Sequence, residues 1–138
     1  MSTLQQRYRW GTLKRKTHQW ASALHKCPQI RGVVMRARIL TPRKPNSAKR
    51  PVAKVVLSNR DRVTAHIPGV GHNLRRHSAV LIRGGGARDL PGVFYACMRG
   101  VLDFEGLLEK KRRRSIYGAR YIAPEGIVRQ KRRKFRKI

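Results

Sequence analysis

The amino-acid sequence predicts an all-β fold: a five-stranded barrel between a long basic N-terminal arm and a basic C-terminal tail. Two observations support this prediction. Short apolar runs with a two-residue period recur through the middle of the chain, bounded by residues typical of turns. The 138 residues include 34 Lys and Arg against six Asp and Glu, and most of that excess lies outside residues 51–107.

The charge is distributed unevenly along the chain. Residues 1–50 contain 13 Lys and Arg and no acid, and residues 108–138 contain another 13 against Glu109 and Glu125. A net charge of +28 repels itself unless a polyanion compensates it, and nucleic acid is the most obvious polyanion. No apolar run approaches the roughly 18 residues of a spanning helix, so we expect no membrane partner.

The first strand is expected at residues 31–40, where the residues alternate with a period of two. We expect the arginines of this run to point outward. The inward face would then consist of Val33, Met35, Ala37 and Ile39.

Residues 52–57 and 62–67 predict a hairpin around a turn at 58–61. Its inward positions would be Ala53, Val55, Leu57, Val63, Ala65 and Ile67. Residues 79–83 and 93–99 predict the last two strands, and the long connections are 41–51, 68–78 and 84–92. Closure removes sheet edges, so five short strands favour a barrel at 31–107, and the nucleic-acid chemistry favours the OB fold.

The two flanking segments are predicted to bind RNA. Residues 1–30 form the arm, with one short helix near 3–9. Residues 108–138 form the tail, in which Tyr117, Tyr121 and Phe135 interrupt the basic runs. Lys and Arg can neutralise phosphates there while the aromatic rings stack.

The connection "TPRKPNSAKRP" at 41–51 contains three prolines and four cations. Proline fixes φ and removes a hydrogen-bond donor, so this loop should be stiff, irregular and exposed. The small polar side chains of Thr41, Asn46 and Ser47 suit contact with the shallow RNA minor groove. The alternative interpretation is a plain connector made of ordinary turn residues.

The connection "GGGARDLPG" at 84–92 lacks the Gly-Lys-Ser/Thr ending of a phosphate-binding loop, so a tight turn is expected. Asp89 is a lone acid in this basic loop, and we expect it to pair with Arg88 or Arg83.

No metal, cofactor or catalytic site is predicted. His72 and His77, with Cys97 or Cys27 as further candidates, lack the spacing of metal ligands. The two cysteines are expected to be unpaired thiols. No loop offers a carboxylate pair, so nuclease chemistry lacks its ligands and the protein is not expected to be an enzyme.

Several motifs occur together and in order between residues 41 and 118, namely "TPRKPNSA", "GHNL" with "HS" and "LIRGG", "DLPGV", and "RS" with "YG". They closely resemble the small-subunit ribosomal protein family called S-twelve or uS-twelve. The start "TLQQ" and the segment at 27–33 resemble the same family, so the similarity covers about residues 3–118.

The resemblance implies an OB barrel that is a structural constituent of the small ribosomal subunit. It implies a position at the decoding centre, with small-subunit rRNA, neighbouring ribosomal proteins and the A-site codon–anticodon helix of mRNA and tRNA as partners. It also implies a role in accurate tRNA selection. The residues that it marks are Lys44, Pro45, Asn46, Ser47, His77, Arg88, Asp89, Leu90, Pro91 and Gly92.

The chain departs from the usual family pattern at Lys49, Pro51, Arg75 and Arg76. The segments "LSNR" and "AHIPG" are similar to mitochondrial members, which favours a mitochondrial ribosome over a chloroplast or bacterial one. The competing function is a free OB protein that binds single-stranded nucleic acid. Such proteins need an aromatic platform, and Phe94 and Tyr95 are nearly the only aromatic residues on the predicted strands.

Overall fold

The computed structural model describes residues 3–10 and 21–121. Its five strands close into a barrel in the order β1-β2-β3-β5-β4. All neighbouring strands are antiparallel except β3 and β5, which are parallel. The strands are β1 Gln29–Leu40, β2 Arg50–Leu57, β3 Arg62–His66, β4 Ala79–Gly84 and β5 Tyr95–Cys97. The predicted all-β fold, a five-stranded OB barrel, is confirmed.

Helix is scarce in the described part of the chain. One α-helix, α1, spans Leu4–Trp10, close to its predicted position, and a single 3-10 turn spans Ser22–Leu24. No helix within residues 3–10 and 21–121 is long and apolar enough to cross a membrane. The predictions for residues 11–20 and for the end of the tail at 122–138 lie outside the described residues.

The predicted hairpin supplies one side of the barrel core. Its inward residues are all buried, as expected from the alternation of apolar and polar positions. They are Ala53, Val55, Leu57, Val63, Ala65 and Ile67. Val80 and Ile82 of β4 and Phe104 complete the interior from the other side.

The predicted inward face of β1 is wrong at three of its four positions. Val33, Met35 and Ile39 are 38%, 42% and 66% exposed, whereas Val34 is fully buried. A β-bulge between Val34 and Arg36 changes the phase of the strand, so that Ala37 alone of the predicted set packs inward, opposite Ala53. Apolar residues occupy both faces around the bulge, so the sequence alternation did not define the phase.

Residues 21–28, the end of the predicted arm, pack against the barrel. Leu24 is buried in the core, and the backbone N–H of Ala23 donates to the Tyr95 hydroxyl at 3.1 Å. The side-chain amide of Asn59 donates to the Ala23 carbonyl at 2.8 Å. The arm is therefore fastened to the turn between β2 and β3 before it reaches β1.

The buried guanidinium of Arg99 joins two distant segments. It donates to the carbonyls of Pro68, Gly71 and Glu105, and it lies over the Phe104 ring at 4.3 Å from the centroid. Burial lowers the pKa of Arg99 from its usual value. Because a buried charge requires such partners, this side chain holds the connection after β3 against the chain that follows β5.

The beginning of the tail is folded rather than extended. The backbone N–H of Leu107 donates to the Tyr117 carbonyl at 2.9 Å, which closes residues 107–117 into a compact loop. Lys110 lies over the Tyr117 ring and Arg114 over the Tyr121 ring, at 5.3 and 4.7 Å from the centroids. Tyr117 and Tyr121 are therefore already covered by cations of the same segment.

The two cysteines are unpaired. Cys27 is exposed, and Cys97 is buried in the core, where burial raises the pKa of its thiol to about 12. Among the described residues, no group of three His, Cys, Asp or Glu side chains could hold a metal ion.

Candidate nucleic-acid interface

Two loops meet at one rim of the barrel, the β1–β2 loop at 41–49 and the β4–β5 loop at 85–94. Strand pairing explains why they meet. Val52 near the start of β2 pairs with His66 at the end of β3, which pairs with Ala96 of β5. Because Tyr95 also pairs with Gly84, the end of β4 reaches the same rim. We call these two loops the loop pair.

Asp89 joins the two loops directly. Its carbonyl accepts a hydrogen bond from the Arg43 backbone N–H at 3.0 Å, and its carboxylate accepts one from Arg50 Nε at 2.7 Å. The expected pairing of Asp89 with Arg88 or Arg83 is therefore wrong. Arg50 begins β2 and lies across the rim from Asp89. Closure of the barrel therefore brings Arg50 to the Asp89 carboxylate, although Arg88 and Arg83 are nearer to Asp89 in sequence.

The pKa values of two groups at this rim, Asp89 and His66, are lowered. The hydrogen bond from Arg50 lowers the pKa of Asp89 below its ordinary value, so the carboxylate is ionised at neutral pH. His66 lies beside the pair, and its partial burial, together with the nearby Arg50, lowers the pKa of the imidazole. His66 is therefore largely neutral, and the positive charge of the rim resides on Lys and Arg.

A small apolar cluster anchors the β4–β5 loop to the barrel. Leu90 and Val93 are buried against Val52, with Leu40 and Ala87 packed beside them. Gly86 allows this close approach, because a Cβ there would lie 1.9 Å from the Val93 carbonyl oxygen. The loop is thus fixed by an apolar contact on one side and by Asp89 on the other.

The tip of the β1–β2 loop, residues 44–47, is exposed to solvent. Lys44, Pro45, Asn46 and Ser47 are all exposed, and the Lys44–Pro45 peptide bond is cis. The Asn46 backbone N–H donates to the Arg43 carbonyl at 3.0 Å, which closes a turn at the tip. The side chains at the tip point to solvent while the backbone beneath them is held.

An open cleft of about 640 Å³ lies between the two loops. The side chains that line it include four cations and the ionised, paired Asp89. The lining residues are Arg43, Lys44, Asn46, Arg50, His66, Gly86, Ala87, Arg88 and Asp89. A concave surface with this charge suits phosphate oxygens, and Asn46 adds an amide that can bind a sugar or a base edge.

The other site residues predicted from the sequence do not share one position or one role in the structure. Arg88, Pro91 and Gly92 are exposed on the β4–β5 loop, whereas Leu90 is 4% exposed and serves as an anchor. His77 is exposed in the connection between β3 and β4, and its backbone N–H donates to the Val34 carbonyl at 2.8 Å. It does not line the cleft.

Sequence analysis missed Arg43, Arg50 and His66 as members of this site. Arg50 and His66 stand at the ends of strands, where a period-two pattern predicts a face but no partner. One available signal was the lone acid Asp89, which required a cation from elsewhere in the chain.

A closed five-stranded barrel with two joined basic loops at one rim is the architecture of a nucleic-acid-binding OB protein. The family described as Ribosomal protein S12/S23 matches residues 17–120. The small ribosomal subunit protein uS12m of Paramecium tetraurelia is 53% identical over 141 residues, which cover 100% of this chain and 97% of that relative. The chain belongs to the ribosomal protein S12/S23 family.

This membership confirms the resemblance inferred from the motifs, including its mitochondrial character. The protein is a structural constituent of the small subunit of the mitochondrial ribosome, and its family is not one of enzymes. The competing interpretation as a free single-strand-binding protein is thereby set aside.

Proposed function

We propose that the loop pair lies at the decoding centre of the mitochondrial small subunit, beside the A-site codon–anticodon helix, and supports accurate tRNA selection. The observation that supports this most strongly is the double contact of Asp89 with Arg43 and Arg50. It holds the exposed tip Lys44–Ser47 and the exposed Arg88 at fixed positions on one rim.

Rigidity of the tip matters because the minor groove of paired RNA is recognised mainly by shape. A tip that is already ordered binds without losing further conformational entropy. Asn46 and Ser47 offer small donors and acceptors to sugar hydroxyls, while Lys44 and Arg88 offer charge to phosphates. Pro91 and Gly92, exposed on the second loop, allow an RNA backbone to approach closely.

Accuracy requires that the loop pair contact two states of the subunit unequally, since equal contact shifts no equilibrium. In this proposal the tip contacts rRNA more extensively when the subunit closes around correct pairing. His77, in its separate position between β3 and β4, would face the incoming tRNA.

The basic segments would bind the chain into the subunit. We assign the arm at 1–30 and the tail at 108–138 to small-subunit rRNA and to contacts with neighbouring ribosomal proteins. The tail alone, residues 108–138, contains 13 Lys and Arg against two acids. This charge supports the assignment to rRNA.

Substitution of the tip tests the proposal. Lys44→Thr or Pro45→Leu should change the miscoding rate of mitochondrial translation, because each alters the charge or rigidity of an exposed residue without touching the core. The measurement is a reporter of misincorporation in cells that depend on the variant protein.

Arg60→Ala is the control, because Arg60 is also an exposed cation but lies in the β2–β3 turn, outside the loop pair and the two basic segments. Each variant must first co-sediment with small subunits at high salt, which shows assembly. Normal error rates for both tip variants in assembled subunits would contradict the proposed role in decoding.

A further inference from the structure

Two segments of this basic chain, residues 68–74 and 100–109, form a surface whose composition differs from the rest. Neither segment contains Lys or Arg, although the whole chain has 34. Residues 100–109 contain three of the six acids of the chain, and all three are exposed. These acids are Asp103, Glu105 and Glu109. The sign of the local charge is therefore reversed at this one place.

Hydrogen bonds hold the two segments side by side. The side-chain amide of Asn73 donates to the Asp103 carbonyl at 2.9 Å, and its oxygen accepts from the Glu105 backbone N–H at 3.3 Å. The guanidinium of Arg99 donates to the carbonyls of Gly71 and Glu105, one in each segment. Side chains exposed on the two segments therefore belong to one surface with a fixed backbone.

Large apolar side chains are exposed on both segments. Val70 is 85% exposed, Leu102 50% and Leu108 68%. A Cβ at Gly69 would lie 2.5 Å from the Leu107 side chain, so the neighbours Val70 and Leu108 lie on adjoining stretches of chain. Leu102 adjoins the hydrogen-bonded contact between the segments. Grouped apolar side chains at a surface, rimmed by charged residues, are typical of protein–protein contacts.

We call this surface the apolar–acidic face, and we define it by the exposed apolar and acidic residues of the two segments. They are Val70, Leu102, Asp103, Glu105, Leu108 and Glu109. None of them lines the cleft of the loop pair.

The charge of the face indicates what kind of partner it fits. RNA phosphates would meet carboxylates here, and like charges placed opposite each other repel. The Asp103 carboxylate already accepts a hydrogen bond from the Ala79 backbone N–H at 2.7 Å. Glu105 and Glu109 form no ion pair within residues 3–10 and 21–121, so their charge can pair with a partner. The complementary occupant carries Lys or Arg beside apolar side chains.

We propose that a second protein of the small ribosomal subunit covers the apolar–acidic face, through a segment that combines Lys or Arg with apolar side chains. Val70, Leu102 and Leu108 would pack on its apolar side chains, while the two glutamates pair with its cations. Proteins of an RNA-rich particle carry basic surfaces for the same reason as this chain, so such segments are common among its neighbours.

A lasting contact suits this face better than a transient one, because exposed apolar side chains gain free energy when they are removed from water. The inference goes beyond the proposed function and does not depend on it. The loop pair and the apolar–acidic face share no residue, and the two proposals name different partners, RNA for the first and protein for the second.

A photoreactive amino acid at Val70 provides the test, because Val70 is exposed and lies between Gly69 and Gly71. The full-length protein is incorporated into mitochondrial small subunits in cells. The subunits are washed at high salt to remove translation factors and are then irradiated. We expect adducts with one small-subunit protein, within a segment that has Lys or Arg beside apolar residues. Adducts with rRNA or with residues 122–138 of this chain, or no adducts in assembled subunits, would overturn the inference.

Charge reversal provides the second arm. Glu105→Lys with Glu109→Lys should lower the yield of the protein adduct from position 70 roughly tenfold, since two attractions become repulsions. Both glutamates are exposed, so the subunits should still assemble. Glu105→Asp with Glu109→Asp is the matched control, keeps the negative charge and should retain most of the yield. Equal yields from the two double variants would overturn the assignment of a cationic partner.

Discussion

At the scale of single residues, Asp89 holds the loop pair together through two different groups. Its carbonyl binds the Arg43 N–H and its carboxylate binds Arg50, with the Asp89 side chain only 12% exposed. Removal of Arg50 would leave a shielded carboxylate without its cation, which costs more than the loss of an exposed ion pair.

We therefore expect Arg50→Ala to loosen the β1–β2 loop. Hydrogen exchange of the Arg43 amide in the full-length protein should become faster, because its acceptor on Asp89 is no longer fixed. Arg50→Lys should preserve part of the protection, and Arg60→Ala, in the exposed β2–β3 turn, should leave it unchanged.

The same exchange measurement should depend on pH in one direction. Arg50 holds the pKa of Asp89 below its ordinary value, so the contact contributes stability above the unfolded-state pKa. That stability is lost as the pH falls through the lower, folded pKa. Protection of Arg43 should hold at neutral pH and decline in acid. An Asp89→Asn variant should lack this pH dependence, and retention of it there would assign the effect to another group.

At this scale the sequence predicted which residues are exposed to solvent, but it did not predict which residues form a hydrogen bond with each other. The prolines of the β1–β2 loop were sufficient to predict that Lys44 to Ser47 are exposed. The partner of Asp89 lies 39 positions away, at Arg50. Barrel closure brings these residues together, and local spacing contains no information about it.

At the scale of elements, β1 is the strand whose faces were assigned wrongly. In β3 the outer positions Arg62, Thr64 and His66 are all polar, and its inward face could be predicted from alternation. In β2 only Lys54 among the outer positions is polar, and pairing with β3 fixes its phase. In β1 both Val33 and Val34 are apolar, and the bulge beyond them changes the phase. Local composition could not show whether Val33 or Val34 faces the core.

A matched pair of substitutions in β1 should expose this difference. Val34→Ala removes methyl groups from a fully buried site and should destabilise the barrel by about 2 kcal/mol. Val33→Ala, one residue earlier and exposed, should cost a small fraction of that. The measurement is the free energy of unfolding in denaturant. A larger cost for Val33→Ala than for Val34→Ala would restore the original assignment of the faces.

At the scale of the whole molecule, a net charge of +28 is combined with a barrel core that is compact and largely apolar. The barrel positions the loop pair, and the flanking segments supply much of the charge. Association with RNA should therefore be dominated by release of counterions from phosphates.

We expect binding of the full-length protein to small-subunit rRNA to weaken steeply with salt. The logarithm of the binding constant should fall linearly with the logarithm of salt concentration, by roughly 0.7–0.9 for each phosphate neutralised. A neutral osmolyte at matched osmolality is the control. A binding constant insensitive to salt would mean that apolar contacts, not charge, attach the protein.

The ion pair between positions 50 and 89 also has an evolutionary consequence. A lineage that changes either residue alone passes through a form in which one charge at the rim has lost its partner. Selection should therefore preserve both residues or replace them together. In relatives that have replaced one of them, we expect a compensating substitution at the other, because the two loops are inherited as one unit.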